Sequence, residues 1–401
     1  MLNDVALSPR QNGSIAVGAA HFFHRWYRSQ TFESKKCRNS TMEPRHGFAM
    51  NGRFLTQDLT GVQRYAWNVA RHLNDTLDRL NASAPILAPV RAADPQLSRM
   101  PLVQFGRIGG HRWEQFALPT RWHGNLLNLC NTAPAIKTKQ VVCIHDANIF
   151  IRPESYSAPF RAYYRFIQAV IARRSTKITS VSSYSATQIA NHLPLTASQI
   201  VVLPNGHEHA LDWEPQLAQS APSIVSGRRS GGERPFALVL GSRAPHKNLR
   251  LIMDIAPRLG QDGIDVIVAG GSAKIYSHDA VTGGENVLFT GRIDDNDLAF
   301  LLDHALCLLF PSWTEGFGLP IVEAMARGCP VISSDRASMP EVCGDAALLA
   351  APDDPAIWVR HIDSLRRSLH LREELIGAGR QRVNQFSWKT TAQAYADLMS
   401  G

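Results

Sequence analysis

Short unbroken apolar runs alternate with longer stretches in which an apolar residue returns every third or fourth position. The first kind reads as buried strand and the second as amphipathic helix. From Gly47 the order is strand Phe48–Phe54, turn Gln57–Gly61 and helix Val62–Leu73, with Val62, Tyr65, Ala66, Val69 and Leu73 on one face. Strand Val141–Ile144, helix Phe160–Ala172, strand Ile178–Val181, helix Tyr184–Leu193 and strand Val201–Leu203 follow. Residues 207–233 break the rhythm with Pro215, Pro222, Gly227, Gly231 and Gly232, and read as a linker. A second series then runs through strand Phe236–Leu240, helix Leu249–Leu259, strands Val266–Ala269 and Val287–Thr290, helix Asp295–Asp303, strand Leu306–Phe310, helix Ile321–Arg327 and strand Val331–Ser333. Strands alternating with helices predict an α/β chain with parallel sheets covered on both faces. The expected organisation is an arm over 1–46, a Rossmann-like domain over 47–206, a linker over 207–233 and a second Rossmann-like domain over 234–385.

A length of 401 residues suits two or three domains, each with its own core. No apolar run approaches the roughly 18 residues of a membrane span, and Met1–Arg45 has no clean signal-peptide core. That first segment is polar and basic, with an aromatic cluster at His21–Tyr27, and reads as lying outside the fold. A disordered arm, a membrane-touching arm, or extra residues ahead of a start at Met42 or Met50 all fit it. Cys37, Cys130, Cys143, Cys307, Cys329 and Cys343 are scattered without a Cys-x-x-Cys; Cys130, Cys143 and Cys307 lie in or beside apolar runs and read as buried thiols in a reducing cytosol. Residues 1–210 hold 24 Lys and Arg against 11 Asp and Glu, whereas residues 211–401 hold 18 against 23. The basic half suits an anionic partner, a nucleic acid or an anionic membrane face, or else is a solvated surface.

Chemistry concentrates at Glu315-Gly-Phe-Gly-Leu-Pro-Ile-Val-Glu323, between a buried strand and a helix that opens on Pro320. A helix start aims free N–H groups and the positive end of its dipole at whatever sits above it, so the turn Gly316-Phe317-Gly318-Leu319 suits a phosphate. Glu315 and Glu323 would repel that phosphate; they suit sugar hydroxyls. A diphosphate carrying sugars at both ends satisfies every group. Asp295-Asn-Asp297 opens a helix, where acidic residues cap N–H groups and suit the dipole better than they suit a metal. The chain has no Walker A lysine motif, no Gly-x-Ser-x-Gly, no His-Glu-x-x-His and no paired zinc ligands.

The Glu-x7-Glu spacing around Gly-Phe-Gly-Leu-Pro resembles the signature of the retaining glycosyltransferases of family 4, which have the GT-B fold of two Rossmann-like domains facing across a cleft. The likeness runs from about Ala49 to Trp388 and is strongest from Pro311 to Glu341. It implies that residues 386–401 form a helix returning to the first domain. Gly241-Ser-Arg-Ala-Pro-His-Lys-Asn248 is similar to that family's diphosphate loop, with Lys247 at the lysine position, Ser242 where many relatives carry arginine, and Arg243 one place later. Backbone near Arg292 and Ile293 would lie on the nucleotide base, and Gly61 would let the backbone approach the donor phosphate. His145 and Asp146 resemble the acceptor-side His-Asp pair; Ser182-Ser183 and Asn205-Gly206 match more weakly. The resemblance assigns catalytic work to Glu315, His145 and Lys247 and donor binding to Glu323. It implies that lysine and the helix start replace a metal, so no cofactor is expected.

Asn51-Gly-Arg-Phe, Gly61-Val-Gln-Arg-Tyr65 and Gly241–Asn248 look most like the bacterial branch that builds lipopolysaccharide and exopolysaccharide. That implies a mannosyltransferase using GDP-mannose on a lipid-linked saccharide, peripheral to the inner face of the cytoplasmic membrane, with no nucleic acid partner. A sugar-phosphate or sucrose-type synthase with a soluble acceptor shares the fold, and a non-catalytic nucleotide-sugar binder is the reading from another class.

Overall fold

The structure is a computed structural model, and it describes residues 47–228, 234–241, 244–270 and 284–400. Two parallel sheets form its frame. The first holds β1 (Phe48–Asn51), β2 (Ile86–Ala88), β3 (Leu102–Gln104), β4 (Asn125–Asn128), β5 (Gln140–Cys143), β6 (Lys177–Ser180) and β7 (Ile200–Val202) in the order β3-β2-β1-β4-β5-β6-β7. The second holds β8 (Phe236–Leu240), β9 (Asp265–Ala269), β10 (Val287–Gly291), β11 (Cys307–Phe310), β12 (Val331–Ser334) and β13 (Leu348–Ala350) in the order β10-β9-β8-β11-β12-β13. Both orders reverse beside their first strand, which leaves a crevice beyond the carboxyl ends of β1 and β4 in one sheet and of β8 and β11 in the other.

Helices cover the sheets. They are α1 (Gly61–Arg79), α2 (Ala158–Arg174), α3 (Ser183–His192), α4 (Leu249–Gln261), α5 (Asp295–His304), α6 (Leu319–Ala326), α7 (Pro355–Arg367), α8 (Leu369–Val383) and α9 (Trp388–Ser400), with shorter helical turns between them. The apolar stripe decides which face each one buries. In α4, Leu251, Ile252, Ile255, Ala256 and Leu259 lie against the sheet. The last helix, α9, packs on α1 of the first half: Tyr395 Oη is 3.0 Å from Tyr65 Oη and 2.8 Å from Thr179 Oγ1.

Several expectations need correcting. The strand expected over Phe48–Phe54 ends at Asn51, and a short 3-10 turn covers Arg53–Thr56. Arg53 is turned inward to Glu114, and a Cβ on Gly52 would meet Ile86 Cγ2 at 2.5 Å. The helix expected over Val62–Leu73 runs on to Arg79. The span 207–233 is not a plain spacer. Glu208–Leu211 and Ala221–Ser226 are helical, and the backbone N–H groups of Ser220 and Ala221 both donate to Asp297 Oδ1 at 2.8 Å. Residues 229–233 and the arm 1–46 lie outside the described residues. Strands β2, β3, β4 and β13 escape the apolar pattern, being three or four residues long with little periodic signal. Among the described residues, no helix is long and apolar enough to cross a membrane.

Candidate active site

The loops leaving β5 and β6 meet the loop leaving β11. Ser182 Oγ and Ser185 Oγ donate to Gly316 O at 2.6 and 2.9 Å, and Thr314 Oγ1 donates to Asn148 Oδ1 at 3.1 Å. The Glu341 carboxylate accepts from the N–H groups of Ser183 and Tyr184 at 2.8 and 3.0 Å, so one half supplies the cap for a helix of the other. Only a glycine fits at 316, because a Cβ there would stand 2.4 Å from His145 O.

Around Glu315 the backbone is held from below. Ser338 Oγ is 3.0 Å from both Glu315 O and Phe317 O. Gly318 takes φ +97° as the N-cap of α6, and Pro320 sits in the first turn, where it forfeits no helical hydrogen bond. A helix start of this kind can offer its first amides to an anion. The neighbouring donor loop is fastened to the same turn. Asn248, at φ +54°, donates from Nδ2 to Pro311 O and Pro352 O at 3.2 and 2.8 Å, and Trp313 N donates to His246 O at 2.7 Å. Lys247 Nζ lies 2.6 Å from Glu315 Oε1 and 5.5 Å above the centre of the Phe310 ring. Lysine and glutamate, expected to meet a donor separately, are here ion-paired to each other. Ser242 and Arg243 lie outside the described residues.

On the first-domain side, Asp146 Oδ1 accepts from Asn148 N at 2.8 Å. Burial pushes its carboxyl above the ordinary carboxylate range, and the charge of Glu315 adds to that against the pull of the Asn148 amide and His145. His145 needs correction as a catalytic group. Its side chain is turned into the domain: the residue is 6% exposed, Nε2 is 2.8 Å from Leu129 O, and its ring stands edge-on to Tyr65. Burial alone would lower this imidazole, but the Cys143 thiol and the Leu129 carbonyl beside it bring the net shift upward. What His145 presents to the facing loop is its carbonyl, against Gly316.

Glu323 also differs from expectation. Assigned to donor binding, it is only 4% exposed. His209 Nε2 sits 2.9 Å from Glu323 Oε1, and Arg64 Nε lies 3.8 Å from the same oxygen. Trp388 Nε1 donates to His209 Nδ1 at 2.9 Å, which leaves the imidazole proton on Nε2, aimed at the carboxylate. Arg64 reaches across to the second half in a two-pronged pair, with NH1 and NH2 at 2.8 and 2.6 Å from the Asp295 oxygens. Asp294 caps α5 by accepting from Asp297 N, while Asn296 and Asp297 bind the linker backbone. The acidic run thus holds elements together. Arg292 and Ile293 follow β10 directly, ahead of α5. Gly61 opens α1, and a Cβ there would meet no protein atom within 4 Å.

Arg64, His209 and Tyr156 join the site without having been singled out as site residues. Arg64 lies in the Gly61-Val-Gln-Arg-Tyr65 segment, three residues after Gly61 on an amphipathic helix, and that segment is the signal that could have found it. His209 lies in a stretch read as linker. Burial, with the charges of Asp146 and Glu315, pushes the Tyr156 phenol well above its ordinary value.

Residues 224–382 match the family described as glycosyl transferases group 1. O-antigen chain mannosyltransferase B of Escherichia coli is 30% identical over 260 residues, 63% of this chain and 67% of that protein. This chain belongs to the group 1 glycosyltransferases. O-antigen chain mannosyltransferase RfbU of Salmonella typhimurium is 26% identical to this glycosyltransferase over 251 residues, 61% of this chain and 66% of that protein. The chain thus spans about two thirds of the length of each relative. In fold it is similar to Anabaena Alr3699/HepE, solved in complex with UDP-glucose, at a TM-score of 0.65 and 17% identity over 88% of this chain and 100% of that one. The two parallel sheets and this likeness give the glycosyltransferase the GT-B fold.

Proposed function

We propose that this glycosyltransferase moves a hexosyl group, mannose from GDP-mannose, onto a lipid-linked saccharide with retention of configuration, as family 4 enzymes do. The observation that carries this reading is the Lys247–Glu315 pair beside the α6 start, where the adjoining Gly316 packs on His145 and Asp146 of the first half. The O-antigen mannosyltransferases among its relatives support the sugar and the glycan class. A neighbour solved with UDP-glucose supports a nucleotide diphosphate sugar as donor. Free cysteines in buried positions suit a reducing compartment, hence the cytoplasmic face.

In this reaction the anomeric C–O bond to the diphosphate breaks and positive charge grows on the sugar while negative charge grows on the leaving phosphate. Lys247 and the amides of Gly316–Leu319 stabilise the leaving group. The incoming diphosphate takes Lys247 from Glu315, which frees Glu315 for the hydroxyls of the transferred sugar. Glu323, with Oε1 held by His209, offers its other oxygen to the ribose. The acceptor hydroxyl attacks on the leaving-group side and gives its proton to the departing phosphate oxygen, so no protein nucleophile is required. The protein supplies the positive charge that a metal would otherwise bring. Transfer is therefore expected to persist in excess chelator. Complete loss with EDTA, restored by Mg2+ or Mn2+, would remove this part of the reading.

The site itself is tested by Glu315→Gln and Glu323→Gln, which keep the shape of each side chain. A charged hydrogen bond of about 1.5–3 kcal/mol corresponds to roughly a 10- to 150-fold fall in kcat/KM. Wild-type rates in both variants would refute the assignment.

A further inference from the structure

We propose that one face of the first domain, made by residues 110–121, residues 133–139 and α2, is the surface on which the protein lies against an anionic lipid bilayer. The inference rests on the lipid-linked acceptor of the proposed reaction and names where that lipid surface meets the chain.

Three segments are joined into one face. Gln115 Nε2 donates to Ala133 O and its Oε1 accepts from Ala135 N, both at 2.9 Å, so the helical segment through Trp113–Arg121 lies along residues 133–136. The ring of His111 packs on Tyr163 of α2 at 4.8 Å, and Arg174 NH2 at the far end of α2 reaches Ile136 O at 3.3 Å. Tyr163, Val170 and Arg174 therefore form the stripe of α2 next to that segment, and Phe166 and Arg173 fall on its outer edge.

The composition of this face is the second observation. Phe116, Ile136 and Phe166 are 71%, 68% and 66% exposed, far more than an apolar side chain needs to be in a folded core. Around them Arg112, Arg121, Lys139, Arg173 and Arg174 are exposed. Between residues 107 and 177 the chain has eleven Lys and Arg and three acidic residues. Of those three, Glu114 is buried against Arg53, Asp146 belongs to the active site and only Glu154 is exposed. Bulky apolar side chains ringed by basic ones, without neutralising acids, complement a leaflet of anionic headgroups over acyl chains. A nucleic acid would use the charge but gains little from isoleucine and widely spaced rings.

Position is the third. Tyr156, just ahead of α2, and Phe160 and Tyr164 in its first turns form a stack, with ring centres 5.6 and 4.1 Å apart. The Tyr156 phenol is raised by burial and by the charges of Asp146 and Glu315, and Tyr164 Oη is 3.5 Å from His111 Nε2 on the proposed face. An aromatic track thus runs from the proposed face through Tyr164 and Phe160 to Tyr156, toward the charges of Asp146 and Glu315, the path a saccharide tethered to a lipid needs.

The test is sedimentation of the full chain with phosphatidylglycerol-containing vesicles and with pure phosphatidylcholine vesicles. Acceptor-free hydrolysis of the nucleotide sugar is measured on the same preparations. Wild type is expected to pellet with the anionic vesicles at low salt, to come off as salt rises and to ignore the neutral ones. The Arg173→Gln, Arg174→Gln pair is expected to weaken partitioning by about 30-fold. Phe116→Ser with Phe166→Ser is expected to weaken it as well, and neither pair should alter donor hydrolysis or thermal unfolding. If wild type stays in the supernatant, or if both pairs pellet like wild type, the face is wrong. Retention on RNA with none on vesicles also overturns it. Loss of donor hydrolysis in wild type would instead count against the proposed reaction.

Discussion

Burial leaves a carboxylate two choices, protonation or a cation, and Glu114 has taken the cation. It is 1% exposed, with Oε1 3.1 Å from Arg53 Nε and Oε2 2.8 Å from Thr132 Oγ1. Burial alone would raise its pKa, but Arg53, His111 and Thr132 outweigh that and bring it to about 2. A depressed acid stabilises the fold above its unfolded pKa and ceases to do so as pH falls through the folded one. That contribution, about 3 kcal/mol for a shift of this size, is expected in full above pH ~4.5 and lost on the way to pH ~2. Acid titration of wild type against Glu114→Gln checks it: the variant starts less stable, since Arg53 is left buried and unpaired, and shows less further loss across that window. The same scale shows what a chain alone conveys. Glu315 and Lys247 stand inside recognisable local patterns, whereas Arg64 and His209 acquire their roles from partners 231 and 114 residues away.

Elements follow local rules until a short-range demand interrupts them. The α6 start forms where Gly318 can hold φ +97°, and this is legible as Gly-Leu-Pro before an apolar helix. Gly318→Ala is expected to cost about 1–2 kcal/mol, because an L side chain resists that backbone and the new methyl would crowd Ile321 Cδ1 at 3.0 Å. Its mark would be a lower Tm together with a raised donor KM; an unchanged donor KM would mean that α6 does not position the donor. Periodicity locates the long helices and the central strands because each carries many apolar positions. It misses β2 and β3, whose three residues give no period to detect. It also misreads 207–228, where proline and glycine separate short helices instead of marking a free linker. Glu208 there caps the last helix, with Oε2 3.0 Å from Trp388 N.

In the whole molecule the two halves are joined by specific contacts. Arg64 grips Asp295, Glu341 caps α3, and Gly316 lies flat on the His145 carbonyl. Gly316→Ala puts a methyl group 2.4 Å from that carbonyl oxygen, and a backbone atom cannot swing away as a side chain could. Each half should keep its fold while the closed arrangement is lost. A larger radius of gyration in solution scattering, with kcat reduced and far-UV dichroism unchanged, is the expected result; wild-type scattering and kcat would show that closure is not needed. Arg64→Gln removes a two-pronged charged contact and is expected to loosen the same closure. A double-mutant cycle with Asp295→Asn should return a coupling of about 1–3 kcal/mol.

By itself the sequence determined the class of fold, two parallel sheets with helices around them, because hydrophobic period is a local property repeated along the chain. It also marked the Gly-rich turn as the candidate site, because Glu315, the glycines and α6 lie within one short stretch. Tertiary structure decided which charges are free. Lys247 and Glu315 pair with each other, Glu323 sits under His209 and Arg64, and the His145 ring faces inward. Nothing local encodes those outcomes. They follow from the meeting of two separately built sheets, where each buried charge takes the nearest opposite partner that the packing brings within reach.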